Sequence, residues 1–350
     1  MQRPVLRLLL ASAVLTLMGP LTTARAEKLV FSPTTTDISV GHAAHSSIPI
    51  TTKCWVNEGL DIDVVGIQGS TAGVQQVSAK NVAFTTVGAE GVMMARAKGA
   101  RIKAVYTYAR STIYRAVALK SSGITKTEDL KGKTLGVIAM STGAVPYGRQ
   151  MLKAAKIDPD KDVQWLPIGE GGQAALGLKR GDVAAWFAWD TAVAALKTQG
   201  LEFVDIKPPY HDALIGNVVA VHEDFLATHK QEIPKLLRCI AKATIFGLTN
   251  AEKTIKMHWQ VYPNTRPTGD EAEAMKKSLL VYESRFAGYQ VPAGVKWGEN
   301  LASQWNETAK LMKEENLLPA DFDPSTSYTN EFIEEANKFD AKAVEDEARK

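Results

Sequence analysis

The chain has 350 residues, 45% of them hydrophobic, and a formal net charge of +3 at pH 7. Three arginines and no acidic residue lie in residues 1–26, so the remaining 324 residues carry no formal net charge. Bulk electrostatics therefore gives no support for nucleic-acid binding. A chain of this length exceeds one ordinary hydrophobic core, so we expect two domains.

Residues 1–26 have the pattern of a signal peptide. Arg3 and Arg7 precede an uncharged apolar run at residues 8–18, and small residues near position 26 suit a signal peptidase. The apolar run is shorter than the about 20 residues that span a bilayer. We therefore predict cleavage after residue 26 and a soluble, periplasmic protein, with an uncleaved anchor as the alternative.

Strands and helices alternate along the first two thirds of the chain. The apolar runs predict strands at residues 28–31, 62–67, 82–84, 102–108, 114–119, 135–138, 163–168, 183–187 and 217–221. Helical patterns fill most of the intervals, and the sequence is helical beyond residue 225. This alternation favours βαβ units, mainly parallel sheets and two α/β lobes of similar plan.

Several short segments resemble one protein family. They lie at residues 57–62 (NEGLDI), 82–84 (VAF), 130–137 (LKGKTLGV), 179–185 (KRGDVAA) and 189–190 (WD). Their order and spacing resemble those of the nitrate/sulfonate/taurine-type periplasmic binding proteins of ABC importers. Thiamine-precursor-binding proteins share that fold.

This resemblance implies an α/β, two-lobed periplasmic binding protein fold of the venus-flytrap type with C-terminal helices. Residues 27–114 and 219–350 would form lobe one, and residues 115–218 lobe two. A small-molecule ligand would bind between the lobes of a monomer, without a cofactor or bound metal. An ABC permease in the inner membrane would receive the ligand.

The predicted turns after the strands are candidates for ligand contacts. Ligands bind beyond the carboxyl ends of strands in open α/β sheets, where helix N-termini present free N–H groups. Hydroxyls add donors there, although Ser and Thr also cap helices without touching a ligand. The predicted ligand-binding residues in these turns are Thr35, Thr36, Asp37, Ser70, Thr71, Gly88, Ser141, Thr142 and Gly143.

Two aromatic residues complete the predicted binding surface. Trp189 follows a strand of lobe two and could form a flat wall, and Trp186 is the weaker candidate. Strand alternation puts Trp186 and Phe187 on opposite faces, so we expect one of these two in the core. Tyr108 lies near the end of a lobe-one strand and could reach the cleft, while Tyr106 fits the core.

Asp190 is the last predicted ligand-binding residue, and it complicates a simple anion site. A carboxylate there, with Glu170, would favour an amine, an amide or a nitrogen ring unless Arg110 or Arg115 neutralised it. The helix ends favour a small organic anion such as a sulfonate or carboxylate. We therefore predict an organic anion, with a nitrogen-ring compound such as a pyrimidine as the alternative.

Catalysis is the less favoured alternative. Cys54 and Cys239 are the only cysteines, and they could form a disulfide or remain buried thiols. His42 and His45 are three residues apart, but a third metal ligand is not evident, so they are interpreted as polar helix surface. Some relatives of this fold are enzymes, but their Cys-rich motif is missing here, so we predict no catalytic residues.

Overall fold

The computed structural model describes residues 27–350, so the predicted signal peptide lies outside the described residues. Ten strands form two five-stranded sheets. The strands are β1 (Lys28–Ser32), β2 (Asp61–Val64), β3 (Phe84–Gly88), β4 (Ile102–Thr107), β5 (Tyr114–Leu119), β6 (Thr134–Val137), β7 (Gln164–Pro167), β8 (Ala185–Trp189), β9 (Phe203–Ile206) and β10 (Asn217–His222).

The two sheets share one plan. The first has the order β2-β1-β3-β10-β4 and the second the order β7-β6-β8-β5-β9. In each, one strand (β10 or β5) runs antiparallel to its two neighbours, and the other four point the same way. The predicted fold of two mainly parallel sheets is confirmed. We call the region around the first sheet the first lobe and that around the second sheet the second lobe.

Helices flank both sheets and make up most of the chain after β10. The α-helices are α1 (Ser47–Thr51), α2 (Cys54–Asn57), α3 (Ser70–Ser78), α4 (Ala89–Ala97), α5 (Ala144–Ala154), α6 (Gly172–Arg180), α7 (Asp190–Lys197), α8 (Glu223–Thr228), α9 (Glu232–Thr249), α10 (Ala251–Val261), α11 (Glu271–Phe286), α12 (Ala302–Glu314), α13 (Ile333–Ala336) and α14 (Ala341–Arg349). Short 3-10 helices lie at Val40–His45, Lys120–Ser122, Thr127–Leu130, His211–Ala213, Pro263–Thr265, Ala287–Tyr289 and Pro324–Ser327. No helix within residues 27–350 is both long and apolar enough to cross a membrane.

Strand β3 begins and ends later than its apolar run suggested. Two of its residues are buried threonines, and their hydroxyls are satisfied by neighbouring backbone. Thr85 donates to the Ser32 carbonyl at 2.9 Å, and the Thr34 N–H donates to the Thr86 hydroxyl at 3.2 Å. Because these hydrogen bonds remove the cost of burying a hydroxyl, polar residues can continue the strand.

The helical segment between β1 and β2 is divided into three short pieces, Val40–His45, α1 and α2. The break between α1 and α2 is at Lys53, whose φ of 55° lies in the left-handed region. A residue in that region ends a right-handed helix, and a new helix, α2, begins at the next residue.

A disulfide joins Cys54 of α2 to Cys239 of α9, with the two Cα atoms 5.7 Å apart. The structure thereby decides between the bonded and free-thiol alternatives. The bond fixes the first lobe to a helix 185 residues further along the chain.

The chain passes between the two sheets twice, at residues 108–113 and 207–216. Tyr114, predicted as the last residue of lobe one, begins β5 of the second sheet, while Asn217 begins β10 of the first. Helix α11 packs against both the Val40–His45 helix and α7. Tyr106 is a buried core residue, as expected, and both Trp186 and Phe187 are buried, not only one of them.

Candidate functional site

A cavity lies between the lobes, at the ends of strands and the beginnings of helices from both sheets. Its lining includes six of the predicted ligand-binding residues: Thr35, Ser70, Tyr108, Thr142, Gly143 and Trp189. The cavity volume is about 20 Å³. A cavity needs about 10–15 Å³ to hold one water molecule, so this cavity is too small for an organic ligand. The lobes must therefore separate or rearrange to admit one.

Sequence reasoning missed several lining residues. The clearest are His42, Thr86, Tyr114, Asn217 and Arg285. Asn217 and Tyr114 begin strands at the crossings between the sheets, a position that could have identified them. Arg285 lies on α11, in a helical region without a recognisable motif.

Two predicted ligand contacts bond to each other across the cleft. The Thr71 N–H of the first lobe donates to the Ser141 carbonyl of the second at 3.1 Å. Gly69 makes this approach possible, because a Cβ at that position would lie 2.6 Å from the Ser141 carbonyl oxygen. Thr71 and Ser141 therefore form an interlobe contact in this conformation.

Two further predicted residues, Thr36 and Gly88, are not part of the cavity lining. Thr36 is exposed, and Gly88 is buried at the end of β3 beneath the Glu90 carboxylate. Neither lines the cavity between the lobes, so the structure does not bring them to the other predicted residues.

Helix N-termini from both lobes meet at the cavity. Helix α3 begins at Ser70 and α5 directly after Gly143. The Ser70 hydroxyl lies 3.3 Å from the Tyr114 hydroxyl, and a side chain at position 143 would collide with that same Tyr114 oxygen. Backbone amides and hydroxyls can thus reach a ligand from both sides.

Three aromatic side chains form the apolar walls, and all are buried. Tyr108 packs edge-on to Tyr289 with ring centroids 5.6 Å apart, and Tyr114 lies 6.0 Å from Tyr147. Trp189 is the last residue of β8 and 7% exposed. Rigid rings of this kind suit a flat ligand.

Asp190 is paired with an arginine other than the two that sequence reasoning considered. Its carboxylate accepts hydrogen bonds from Arg285 Nε at 2.9 Å to each oxygen and from Arg285 Nη2 at 2.5 Å. Arg110 instead donates to the Glu299 carbonyl, and Arg115 to the Thr112 and Tyr114 carbonyls. The idea that Arg110 or Arg115 neutralises Asp190 was wrong.

His42 and His45 are buried, so their interpretation as polar helix surface was wrong. Burial, followed by the nearby charge of Arg285, lowers the pKa of His45 to about 3 and also lowers that of His42. Both rings are therefore neutral at pH 7. Within the described part of the chain, no three His, Cys, Asp or Glu side chains are grouped to hold a metal ion.

A second cavity, of about 210 Å³, adjoins the first and shares Trp189 with it. Asp37 of the first lobe and Glu170 of the second both line it. Burial, and then the charge of Asp37, raises the pKa of Glu170 to about 7, while burial raises the pKa of Asp37. Asp37, predicted as a ligand contact, thus lies at the mouth of the cleft.

A third cavity lies on the other side of Tyr114, between α4 and α5. Glu90 and Gln150 line it, and each has a buried polar atom without a hydrogen-bond partner in the structure. Burial raises the pKa of Glu90 to about 7, although its own backbone and Tyr114 hydrogen-bond to it. The interlobe boundary therefore contains a carboxyl group that titrates near neutrality.

Comparison with known proteins agrees with this architecture. The chain is 25% identical over 255 residues to the riboflavin-binding protein RibY of Chloroflexus aurantiacus, which covers 72% of this chain and 70% of that protein. A Bordetella bronchiseptica RB50 structure is similar, with TM-score 0.70 and 18% identity, covering 89% of this chain and 97% of that one.

The alkanesulfonate-binding protein SsuA of Xanthomonas axonopodis pv. citri, bound to MOPS, has TM-score 0.65 and 16% identity. The match covers 87% of this chain and 99% of that chain. These likenesses confirm the periplasmic binding protein fold. A model of the NMT1/THI5-like family matches residues 55–254, more than half of the sequence. The chain therefore belongs to the NMT1/THI5-like family.

Proposed function

We propose that this protein is the extracytoplasmic solute-binding component of an ABC importer and binds a small ligand between its lobes. The observation that carries the proposal is the interlobe cavity, where hydroxyls, amides and aromatic rings from both sheets converge. A ligand touching both lobes would favour their closed arrangement, because its contacts are complete only there.

The ligand class follows from the charges of the lining. Arg285 is the only arginine or lysine among the described lining residues, and Asp190 neutralises it. His42 is uncharged at pH 7 because burial lowers its pKa. A cavity without net charge favours an uncharged ligand, since a buried unpaired charge is costly.

The shape and polarity of the walls favour a flat nitrogen heterocycle. Tyr108, Tyr114 and Trp189 offer ring faces, while Thr86 and Asn217 offer hydrogen-bonding groups in the same lining. A pyrimidine or flavin ring presents flat faces and edge donors and acceptors that match this lining. The likeness to a riboflavin-binding protein supports this ligand class.

A small organic anion is the second candidate. The N-termini of α3 and α5 point amide groups and the positive ends of helix dipoles toward the cavity. The likeness to an alkanesulfonate-binding protein is consistent with this candidate. We rank it second because the only guanidinium in the lining already has a carboxylate partner.

Export through the predicted signal peptide would place the protein in the periplasm, where it would deliver its ligand to a permease as a monomer. Solute capture without turnover is proposed, so purified protein should bind its ligand stoichiometrically and release it unchanged.

A thermal-shift screen tests the proposal. We expect uracil, thymine or riboflavin to raise the melting temperature, because binding to the folded state alone stabilises it by about 2.7 kcal/mol at a concentration of 100 Kd. Nitrate, alkanesulfonates and carboxylates should have smaller effects. Stabilisation by the anions alone would contradict the heterocycle proposal, and conversion of the bound compound would contradict simple solute capture.

A further inference from the structure

The cleft contains a guanidinium whose anion-binding side is already occupied. Arg285 and Asp190 are 1% and 5% exposed in their side chains, and three hydrogen bonds of 2.5–2.9 Å connect them. A forked arrangement of guanidinium N–H groups on two carboxylate oxygens is also the geometry in which arginine binds carboxylates and other oxyanions of a ligand. Asp190 thus takes the place that an anionic ligand would take.

Asp190 is held firmly in that place. It is the first residue of α7, where the helix dipole favours a negative charge. The Thr191 N–H donates to the same carboxylate at 2.6 Å, and the Asp190 N–H donates to the Ile113 carbonyl at 2.9 Å. The acid is therefore fixed from its own helix and from the crossing between the lobes.

Arg285 forms no described ion pair except the one with Asp190. Its other charged or titratable neighbours are His42, His45, Tyr108 and Tyr289. Burial is the largest single effect and lowers the pKa of Arg285, but the charge and hydrogen bonds of Asp190, with smaller contributions from Tyr289 and Tyr108, together raise that pKa above its ordinary value. The charge of the pair is balanced within the protein, without a contribution from a ligand.

We propose that Asp190 is a specificity-determining residue that excludes anionic ligands from the cleft by occupying the guanidinium of Arg285. An anion entering the cleft would have to displace Asp190 and leave a buried carboxylate unpaired, or bury its own charge without a partner. This inference rests on the proposed function in one respect, namely that ligands bind in this cleft.

The variant Asp190→Asn tests the proposal, because it keeps the shape of the side chain and leaves Arg285 without a counter-charge. We expect methanesulfonate to bind this variant at least about tenfold more tightly than it binds the unmodified protein. Dimethyl sulfone, an uncharged analogue of similar shape, should show no gain. Isothermal titration calorimetry and the melting temperature at increasing ligand concentration measure both effects.

Two control variants test whether the gain in methanesulfonate affinity requires Arg285 in the cleft or would follow from removing the carboxylate partner of any arginine. Glu223→Gln removes the carboxylate that contacts Arg96 at 2.7 Å outside the cavity, so it should not gain affinity for methanesulfonate. The double variant Asp190→Asn with Arg285→Met should lose the gain, because the guanidinium itself is removed.

The variant is expected to be less stable, since Arg285 would be buried and unpaired. Methanesulfonate should then restore its melting temperature, whereas dimethyl sulfone should not. If Asp190→Asn does not fold in the presence of either compound, the effects of methanesulfonate and dimethyl sulfone are compared on Asp190→Ser instead. Absence of a methanesulfonate-specific effect in both variants overturns the proposal, as does equal affinity of the unmodified protein and Asp190→Asn. Neither result depends on heterocycle binding, which the thermal-shift screen tests separately.

Discussion

The two lobes share a sheet plan, but they contribute different groups to the cleft. Thr35, Ser70, Thr86 and Asn217 of the first lobe bring mainly hydroxyl and amide groups. The second lobe brings fewer residues, and these include the Tyr114 and Trp189 rings. The first lobe therefore supplies most of the hydrogen-bonding side chains together with the Tyr108 ring, and the second lobe supplies two of the three rings.

The lobes also differ in how the chain holds them together. The second sheet is built from one continuous stretch, residues 114–206, whereas the first combines strands from residues 28–107 with β10. The Cys54–Cys239 disulfide and the helices after β10 connect the separated parts of the first lobe. Stability of the first lobe should therefore depend on long-range links that the second lobe does not need.

The largest expected effect concerns that disulfide. Replacing both Cys54 and Cys239 by alanine should lower the free energy of unfolding by about 5 kcal/mol, because the bond closes a long loop in the unfolded chain. Chemical denaturation of the oxidised protein and the double variant measures the difference. Reduction of the unmodified protein should reproduce the loss, and equal denaturation midpoints would contradict this account of the first lobe.

A smaller effect is expected from Glu90, which lies on the first-lobe side of the interlobe boundary. Its pKa, raised to about 7 by burial, makes the folded protein lose stability as the pH rises from about 4.5 through 7. Glu90→Gln mimics the protonated acid, so it should match the unmodified protein at pH 4 and exceed its unfolding free energy by about 3 kcal/mol at pH 8. Urea denaturation at both pH values measures this.

An exposed carboxylate provides the control for that experiment. Glu128→Gln makes the same change from carboxylate to amide at the protein surface, away from the boundary between the lobes. If the unfolding free energy of Glu90→Gln changes with pH in the same way as that of the unmodified protein, burial of Glu90 between the lobes does not govern its ionisation.

Trp189 tests the ring contribution of the second lobe. Trp189→Ala should weaken ligand binding by about 2 kcal/mol, because it removes a buried wall of the cavity. Trp259→Ala is the matched control, since Trp259 lies on α10 and packs against Arg266. Titration of both variants with the compound found in the screen measures the difference, and equal affinities would remove Trp189 from the site.

The smallest expected effect concerns contact between the lobes. Gly69→Ala should weaken ligand affinity by about 1 kcal/mol, because its Cβ would collide with Ser141 and hinder closure. Gly181→Ala also places an alanine at a positive φ, in the less costly left-handed helical region, and has open space around it. A loss of affinity in Gly69→Ala but not in Gly181→Ala is the expected pattern, and equal affinities would argue against the Gly69–Ser141 approach as part of the closed state.

Local patterns in the sequence identified the fold well. Strand β5 was predicted at residues 114–119 and has those same bounds in the structure. Such features depend on side chains only a few positions apart, which the sequence displays directly. Strand β3 was displaced because burial of Thr85 and Thr86 depends on partners elsewhere in the fold.

The site was predictable only in part, for the same reason. Ser70, Thr142 and Trp189 follow from the rule that ligands meet strand ends and helix starts. The partner of Asp190 lies 95 residues away on a helix that the rule does not cover. Pairing of side chains between distant elements depends on the packing of α11 against α7, and nothing in either segment alone specifies it.

The trapping of a solute between the lobes is tested most directly by small-angle X-ray scattering of the protein with and without saturating ligand. We expect the radius of gyration to decrease when the ligand draws the second lobe onto the first. An unchanged scattering profile at proven saturation would contradict closure and, with it, the account of the cleft given above.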